Sequence, residues 1–98
     1  MIYEHAYITV NPGDESPFEK AFIAGQAVLE SAPGCHIAHL YRSADQPGTY
    51  LLRVGWDRIE DHIEVFPGTP QAVEFDDLVA KYFARAPQVV HFSPESVG

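Results

Sequence analysis

Five histidines, five tyrosines and a single tryptophan hold most of the chemistry available to this 98-residue chain. Histidine ionises near neutrality, so it is the side chain best suited to taking a proton from a weakly acidic substrate. His62 is the most informative of the five. Ile59, His62, Ile63 and Phe66 fall at i, i+3, i+4 and i+7, which predicts a helix whose apolar stripe includes the imidazole. The stripe begins just after Trp56, the last residue of an aliphatic, strand-like run. A base beside an indole suits proton removal from a planar aromatic ring. A hydrogen-bonded histidine with no chemistry suits the same position. His62 is therefore the first catalytic candidate, and His5, in the first strand-like run, is the second.

The remaining reactive residues narrow the chemistry by what they do not form. His36 and His39 are oddly spaced on one strand-like run and would point to opposite faces, and no two histidines stand at i, i+4, so no metal site is expected. Cys35 is the only cysteine; it lacks a C-x-x-C context and reads as a small buried residue. There is no G-x-G-x-x-G, phosphate loop or C-x-x-C-H, so flavin, nucleotide and covalent haem find no support and no cofactor is expected. His36 and His91 offer no pattern that singles them out.

The formal charge of −8 and six scattered Lys and Arg residues argue against nucleic acid and anionic membrane surfaces as partners. The chain has neither a basic start nor an unbroken apolar stretch, and a cytoplasmic protein is expected. With 46% hydrophobic residues, 98 residues suit one domain, residues 1–98, with residues 93–98 as a polar tail. A domain of this size gains from a second copy covering exposed apolar surface, so a homodimer is expected.

Proline and glycine divide the chain. Met1 to Val10 reads as a strand ending at Asn11-Pro12-Gly13. Ser16-Pro17-Phe18-Glu19 has the capping-box pattern and opens a helix that Ala32-Pro33-Gly34 closes. Cys35 to Arg42 and Thr49 to Trp56 should pair antiparallel across Ser43 to Gly48. Asp57 with Glu60 can cap the helix that carries His62; Pro67-Gly68 breaks it and Thr69-Pro70 restarts it. Gln88 to Phe92 is the last strand. The order β-α-β-β-α-β is that of an α+β, ferredoxin-like fold with a four-stranded antiparallel sheet covered by helices on one face.

Alternation places Tyr50, Leu52, Val54 and Trp56 together, facing the helices, with Arg53 on the other face near Glu4. With Tyr41 opposite Tyr50, the covered side would also hold Cys35, Ile37, His39 and Tyr41; an odd shift of register would send them to the open side. If Tyr3, His5 and Tyr7 also face the helices, one layer collects His5, His39, His62, Tyr7, Tyr41, Tyr50, Tyr82 and Trp56. That is more polar aromatic capacity than a purely structural core favours, so the layer reads as a ligand pocket. Expected substrate contacts are Trp56, His39, Tyr7, Tyr41, Tyr50, Tyr82 and Phe66, and the expected ligand is a small aromatic molecule.

This organisation and the segment YLLRVGWDRIEDHIEVFPGTPQAVEF resemble the antibiotic biosynthesis monooxygenase (ABM) family of dimeric α/β barrels, over Ile2 to Phe92. The resemblance implies a homodimer in which two sheets face each other, and a pocket between each sheet and its helices. It also implies a cofactor-independent monooxygenase acting on a phenol, anthrone or quinone-type substrate; the alternative is a non-catalytic dimeric barrel that binds a small aromatic ligand. Haem-degrading relatives carry an Asn next to Glu on the first strand, where this chain has Glu4-His5, and an iron-ligating His where ungapped counting places Phe75. Haem degradation is accordingly not expected.

Overall fold

The computed structural model describes residues 1–98. Four strands, β1 (Ile2–Thr9), β2 (Cys35–Arg42), β3 (Thr49–Trp56) and β4 (Gln88–Phe92), form one antiparallel sheet in the order β2-β3-β1-β4. Two helices, α1 (Glu15–Glu30) and α2 (Pro70–Val79), cover one face. The architecture is the ferredoxin-like α+β order expected from the sequence. The core lies between sheet and helices, with Phe18, Phe22 and Leu29 of α1 against Ile8, Tyr50, Leu52, Val54 and Trp56. Gly25 lets α1 meet α2 closely: a Cβ there would stand 3.1 Å from both Phe75 and Leu78 side chains.

Which side chains face the helices differs from the expectation, and the cause is register. Tyr41 pairs with Leu51 rather than Tyr50, and Arg42 takes the place opposite Tyr50. The connection is tighter than its composition indicates, because Ser43 N–H donates to the Thr49 carbonyl at 2.8 Å and the Ser43 hydroxyl accepts from Gln46 N–H at 3.1 Å. A bulge between Cys35 and Ile37 absorbs one residue at the other end of the hairpin. A one-residue slip exchanges faces, so Ile37, His39 and Tyr41 lie on the open side and Ala38 and Leu40 face the helices.

The first strand follows the same parity. Glu4, Ala6 and Ile8 are buried beneath the helices, and Tyr3, His5 and Tyr7 are on the open face. Arg53 therefore has His5 as its cross-strand neighbour, not Glu4, and its guanidinium lies 3.8 Å from the centre of the Tyr3 ring. A fully buried tryptophan needs an acceptor for its indole N–H, and Glu4 turned inward supplies one.

The helix ends also depart from the capping patterns. α1 begins at Glu15 after Asp14, and no side chain caps it. Asp57 does not cap the next segment; the nearly buried Asp61 does the anchoring, accepting from Arg58 N–H at 3.1 Å. Asp61 packs against Gly34, which has a positive φ of 78° and no room for a side chain, since a Cβ would fall 2.4 Å from the Asp61 carboxylate.

Candidate functional site

His62 does not sit on an ordinary α-helix. Residues Asp61–Val65 form a π turn, closed by the Phe66 N–H donating to the Asp61 carbonyl, and a 3-10 turn follows over Phe66–Gly68. The wider turn brings His62 and Phe66 inward and leaves Ile59 and Ile63 exposed. The predicted stripe of Ile59, His62, Ile63 and Phe66 is thus half correct: its two inner members are the histidine and the phenylalanine. Gly34 and Asp61 fix the start of this turn, and Thr69, whose hydroxyl accepts from Ala72 N–H at 3.2 Å, fixes the start of α2 beyond it.

The imidazole of His62 lies against the Trp56 indole, with ring centres 5.2 Å apart and planes 16° from parallel. Its Nε2 is 3.3 Å from Oε1 of Glu4, and the same oxygen accepts from Trp56 Nε1–H at 3.0 Å. On its other side His62 Nδ1 is 2.8 Å from Nε2 of His91. Glu4 and His91 are direct cross-strand partners on β1 and β4, which explains why both reach the same ring. Four side chains from three strands and the π turn thus form one chain, His91–His62–Glu4–Trp56.

Burial sets the protonation of this chain. Loss of water raises the Glu4 carboxyl from 4.5 to about 7, only partly offset by the Trp56 hydrogen bond. The same loss of water, with His91 beside it, lowers His62 from 6.5 to about 4. The 3.3 Å contact is therefore a close polar approach of a neutral imidazole to the carboxyl rather than a charge pair. Two proton arrangements fit the distances. With Glu4 ionised, His91 Nε2–H donates to His62 Nδ1, and His62 Nε2–H donates to Glu4. With Glu4 protonated, its O–H donates to His62 Nε2 and His62 Nδ1–H donates to His91.

Glu4 and His62 border a pocket of about 150 Å³ between sheet and helices. Its wall is apolar and rich in phenylalanine: Phe66, Phe75 and Phe83, with Leu29, Leu52 and Val89 among the rest. Asp76 is the only other charged side chain on it, and no Lys or Arg contributes. A larger groove of about 700 Å³ runs between α1 and β2. His39, Tyr41 and Tyr50 line it, and several of its polar groups are engaged: Glu19 accepts from Tyr50 Oη–H at 2.6 Å and from Arg42, and the Gln26 amide donates to the Ala38 carbonyl at 2.7 Å. Arg42 and Tyr50 hold Glu19 down to about 2, and burial beside Glu19 pushes Tyr50 up to about 12, so neither titrates near neutrality. The smaller pocket is where a buried carboxyl and an imidazole lie side by side.

Set against the expected site residues, the structure brings Trp56, His62 and Phe66 together, and separately gathers His39, Tyr41 and Tyr50 along the groove between α1 and β2. It places His5, Tyr7, His39 and Tyr41 on the open face, away from His62, for the register reasons above. Tyr50 faces the helices but turns its hydroxyl to Glu19, and Tyr82 packs at the edge of the core outside the pocket wall. Glu4 and His91 are the residues that sequence reasoning missed. A lone carboxylate inside the apolar run Ile2 to Val10 was the available signal for Glu4. His91 becomes visible only once β4 is paired with β1. Burial pushes the Cys35 thiol up to about 12, which leaves it inert at neutral pH. No group of three or more His, Cys, Asp or Glu side chains is placed to hold a metal ion, and no helix is long and apolar enough to cross a membrane.

A βαββαβ layer with a carboxyl and an imidazole on the wall of a phenylalanine-rich pocket, and a buried indole behind them, defines a ferredoxin-like α+β domain with an internal site. Residues 1–85 match the family described as antibiotic biosynthesis monooxygenase, ABM, and the chain belongs to that family. It is 30% identical over 92 residues to the uncharacterized protein YczJ of Bacillus subtilis (strain 168), covering 94% of this chain and 97% of that one. The crystal structure of a Bordetella bronchiseptica protein, a candidate antibiotic biosynthesis monooxygenase by name, superposes with a TM-score of 0.93 at 35% identity, covering 97% of each chain. A Nitrosomonas europaea protein named in the same way shares the fold with a TM-score of 0.79 at 20% identity, over 98% of this chain and 100% of that one.

Proposed function

We propose that the protein is a cofactor-independent monooxygenase of small hydroxylated aromatic compounds, with Glu4 as proton acceptor and His62 as the group that positions and relays. The observation that carries this reading is the Glu4 carboxyl, buried at the edge of an apolar pocket and raised to about 7, where a general base has both the occupancy and the strength to act at neutral pH. His62, lowered to about 4, stays neutral and is better fitted to orient and pass on a proton than to hold one. This moves the proposed base from His62 and His5 to Glu4.

In the reaction a phenol or anthrone-type substrate loses a proton to Glu4, and the resulting electron-rich anion reduces dioxygen directly. The ring carbon para to the hydroxyl becomes a carbonyl, giving a quinone: one oxygen atom enters there, and the other leaves as water with the hydroxyl hydrogen and the hydrogen of that ring carbon. Every electron that reduces dioxygen comes from the substrate. The proton on Glu4 leaves by the second arrangement of the chain, Glu4 to His62 to His91. The apolar wall excludes water while the anion exists. The open face, with Tyr7, Tyr41, Val90 and Phe92 all exposed, is the surface through which the protein forms a homodimer. A free, unreactive Cys35 suits a reducing cytoplasm.

A second reading, a non-catalytic barrel that holds a small aromatic ligand, draws on the fact that Trp56, Glu4, His62 and His91 already contact one another without a ligand. Oxygen uptake with a panel of phenols, hydroquinones and anthrones separates the two. The oxygenase reading expects uptake by the wild type and a loss of about 10²- to 10⁴-fold in Glu4→Gln, the usual worth of a general base. Ligand binding with no oxygen uptake from any panel member would leave only the binding module.

A further inference from the structure

We infer that the pocket takes a neutral, single-ring hydroxyarene whose hydroxyl meets Glu4 and His62 and whose ring packs between Phe66, Phe75 and Phe83. This deepens the reading above by naming the substrate class, and it rests on that reading only for the chemistry, not for the binding.

Size is the first argument. The pocket holds about 150 Å³, and an apolar cavity of about that volume accommodates one benzene ring. A fused two- or three-ring compound has no room without displacing Phe66 or Phe83. Charge is the second. The wall offers two carboxyl groups, Glu4 and Asp76, and no cation, on a chain of formal charge −8, so a carboxylate or phosphate would meet repulsion and lose its water without a partner. Hydrogen bonding is the third. Oε1 of Glu4 takes both the Trp56 and the His62 contacts, whereas Oε2 has no protein partner and is not sealed from solvent. An unclaimed carboxyl oxygen of a residue on the wall of a mostly apolar pocket is an acceptor for one ligand O–H. A hydrocarbon would leave it unpaired, and a ligand with polar groups at both ends would bury one of them against phenylalanine.

Trp56 is the only tryptophan, so its indole N–H gives one resonance, and that N–H is bonded to the oxygen next to the proposed contact. Titration of the intact protein under anaerobic conditions with p-cresol and with unsubstituted phenol should shift this resonance saturably. Benzoate and toluene should bind about tenfold or more weaker than p-cresol, as expected for burying an unpaired charge or leaving an acceptor unpaired. Naphthol should bind the wild type more weakly than p-cresol, and Phe66→Ala should reverse that order by enlarging the pocket. Glu4→Leu should erase the preference for p-cresol over toluene. No saturable shift with either phenol, benzoate binding as well as p-cresol, or naphthol binding better than p-cresol in the wild type would each overturn the inference. The oxygenase reading fails separately: phenol that binds and is never oxidised removes the reaction and keeps the ligand class, whereas oxygen uptake with an anthrone and no phenol binding does the reverse.

Discussion

The two faces of the sheet carry similar side chains and use them in opposite ways. The covered face has His62 and His91 with Trp56 and Glu4; the open face has His5 and His39 with Tyr3, Tyr7 and Tyr41. On the covered face the four side chains contact one another, burial removes most of their water, and Glu4 is driven up to about 7 and His62 down to about 4. On the open face Arg53 lies over Tyr3, His5 lies 4.8 Å from the Phe92 ring, and slight burial with Arg53 beside it lowers His5. Residue type is common to both faces; burial with convergent partners is what makes one of them reactive.

The largest effect should follow from Trp56→Ala. Its indole is fully buried, stacks on His62 and donates to Glu4, so truncation opens a cavity and strips a partner from a buried carboxyl. A loss of about 3–5 kcal/mol is expected, read by urea unfolding. Tyr41→Ala, an aromatic truncation on the open face, should cost the monomer far less. Equal losses at the two positions would erase the distinction between the faces.

The next effect separates Glu4 from His62 by pH. Folding raises the Glu4 carboxyl, so the folded state binds the extra proton and Glu4 makes stability fall as pH climbs from 4.5 to about 7. Folding lowers His62, so the unfolded state binds the extra proton and His62 makes stability rise as pH climbs from about 4 to 6.5. The two slopes cancel in the shared window. Glu4→Gln should uncover the His62 slope, with stability rising toward neutrality; His62→Phe should uncover the Glu4 slope, with stability falling by up to about 3 kcal/mol over the same range. Urea midpoints across pH test this. If both variants keep the wild-type profile, neither group changes its proton affinity on folding, and the description of a raised carboxyl beside a neutral imidazole is wrong.

The element order was legible in the sequence because it rests on strong local signals: Asn11-Pro12-Gly13, Ala32-Pro33-Gly34 and Pro67-Gly68 punctuate it, and β2, β3 and β4 run over the residues that alternation picks out. The inward turn of Trp56 and His62 was legible too. The rest of the site was not, since it depends on parity. Tyr41 and His39 change faces with a one-residue slip that the Ser43 hydroxyl and the bulge at Cys35 decide, and both are tertiary details. In β1, Glu4-Ala6-Ile8 and Tyr3-His5-Tyr7 are both plausible inner sets; the need of a buried indole for an acceptor selects the first. His91 joins the site only through the pairing of β4 with Glu4.

A smaller effect concerns the proposed homodimer. Tyr7→Asp or Phe92→Asp puts a charge into an exposed aromatic patch and should weaken self-association by about 2 kcal/mol, roughly thirtyfold in Kd, with the unfolding midpoint of the monomer unchanged. Light scattering across a dilution series measures it. Dimers that survive both substitutions would place the interface elsewhere and leave the open face solvated.

The smallest effect is expected at His5, the other histidine that its sequence context offers as a base. Its ring is on the face opposite to Glu4 and His62, with Phe92 at 4.8 Å and Tyr7 at 6.4 Å, and it has no hydrogen-bond partner from the pocket. His5→Ala removes no contact to the His91–His62–Glu4–Trp56 chain, so monomer stability should change by no more than about 0.5 kcal/mol and the Trp56 indole resonance should respond to phenols as in the wild type. What change there is should appear in self-association, because the lost ring supports Phe92 on the proposed interface. His62→Ala should do the reverse, altering the indole resonance and phenol binding with dimerisation intact. If His5→Ala abolished phenol binding in the monomer, the ligand would have to lie on the open face, and the register that turns His5 away from Glu4 would no longer account for which histidine acts.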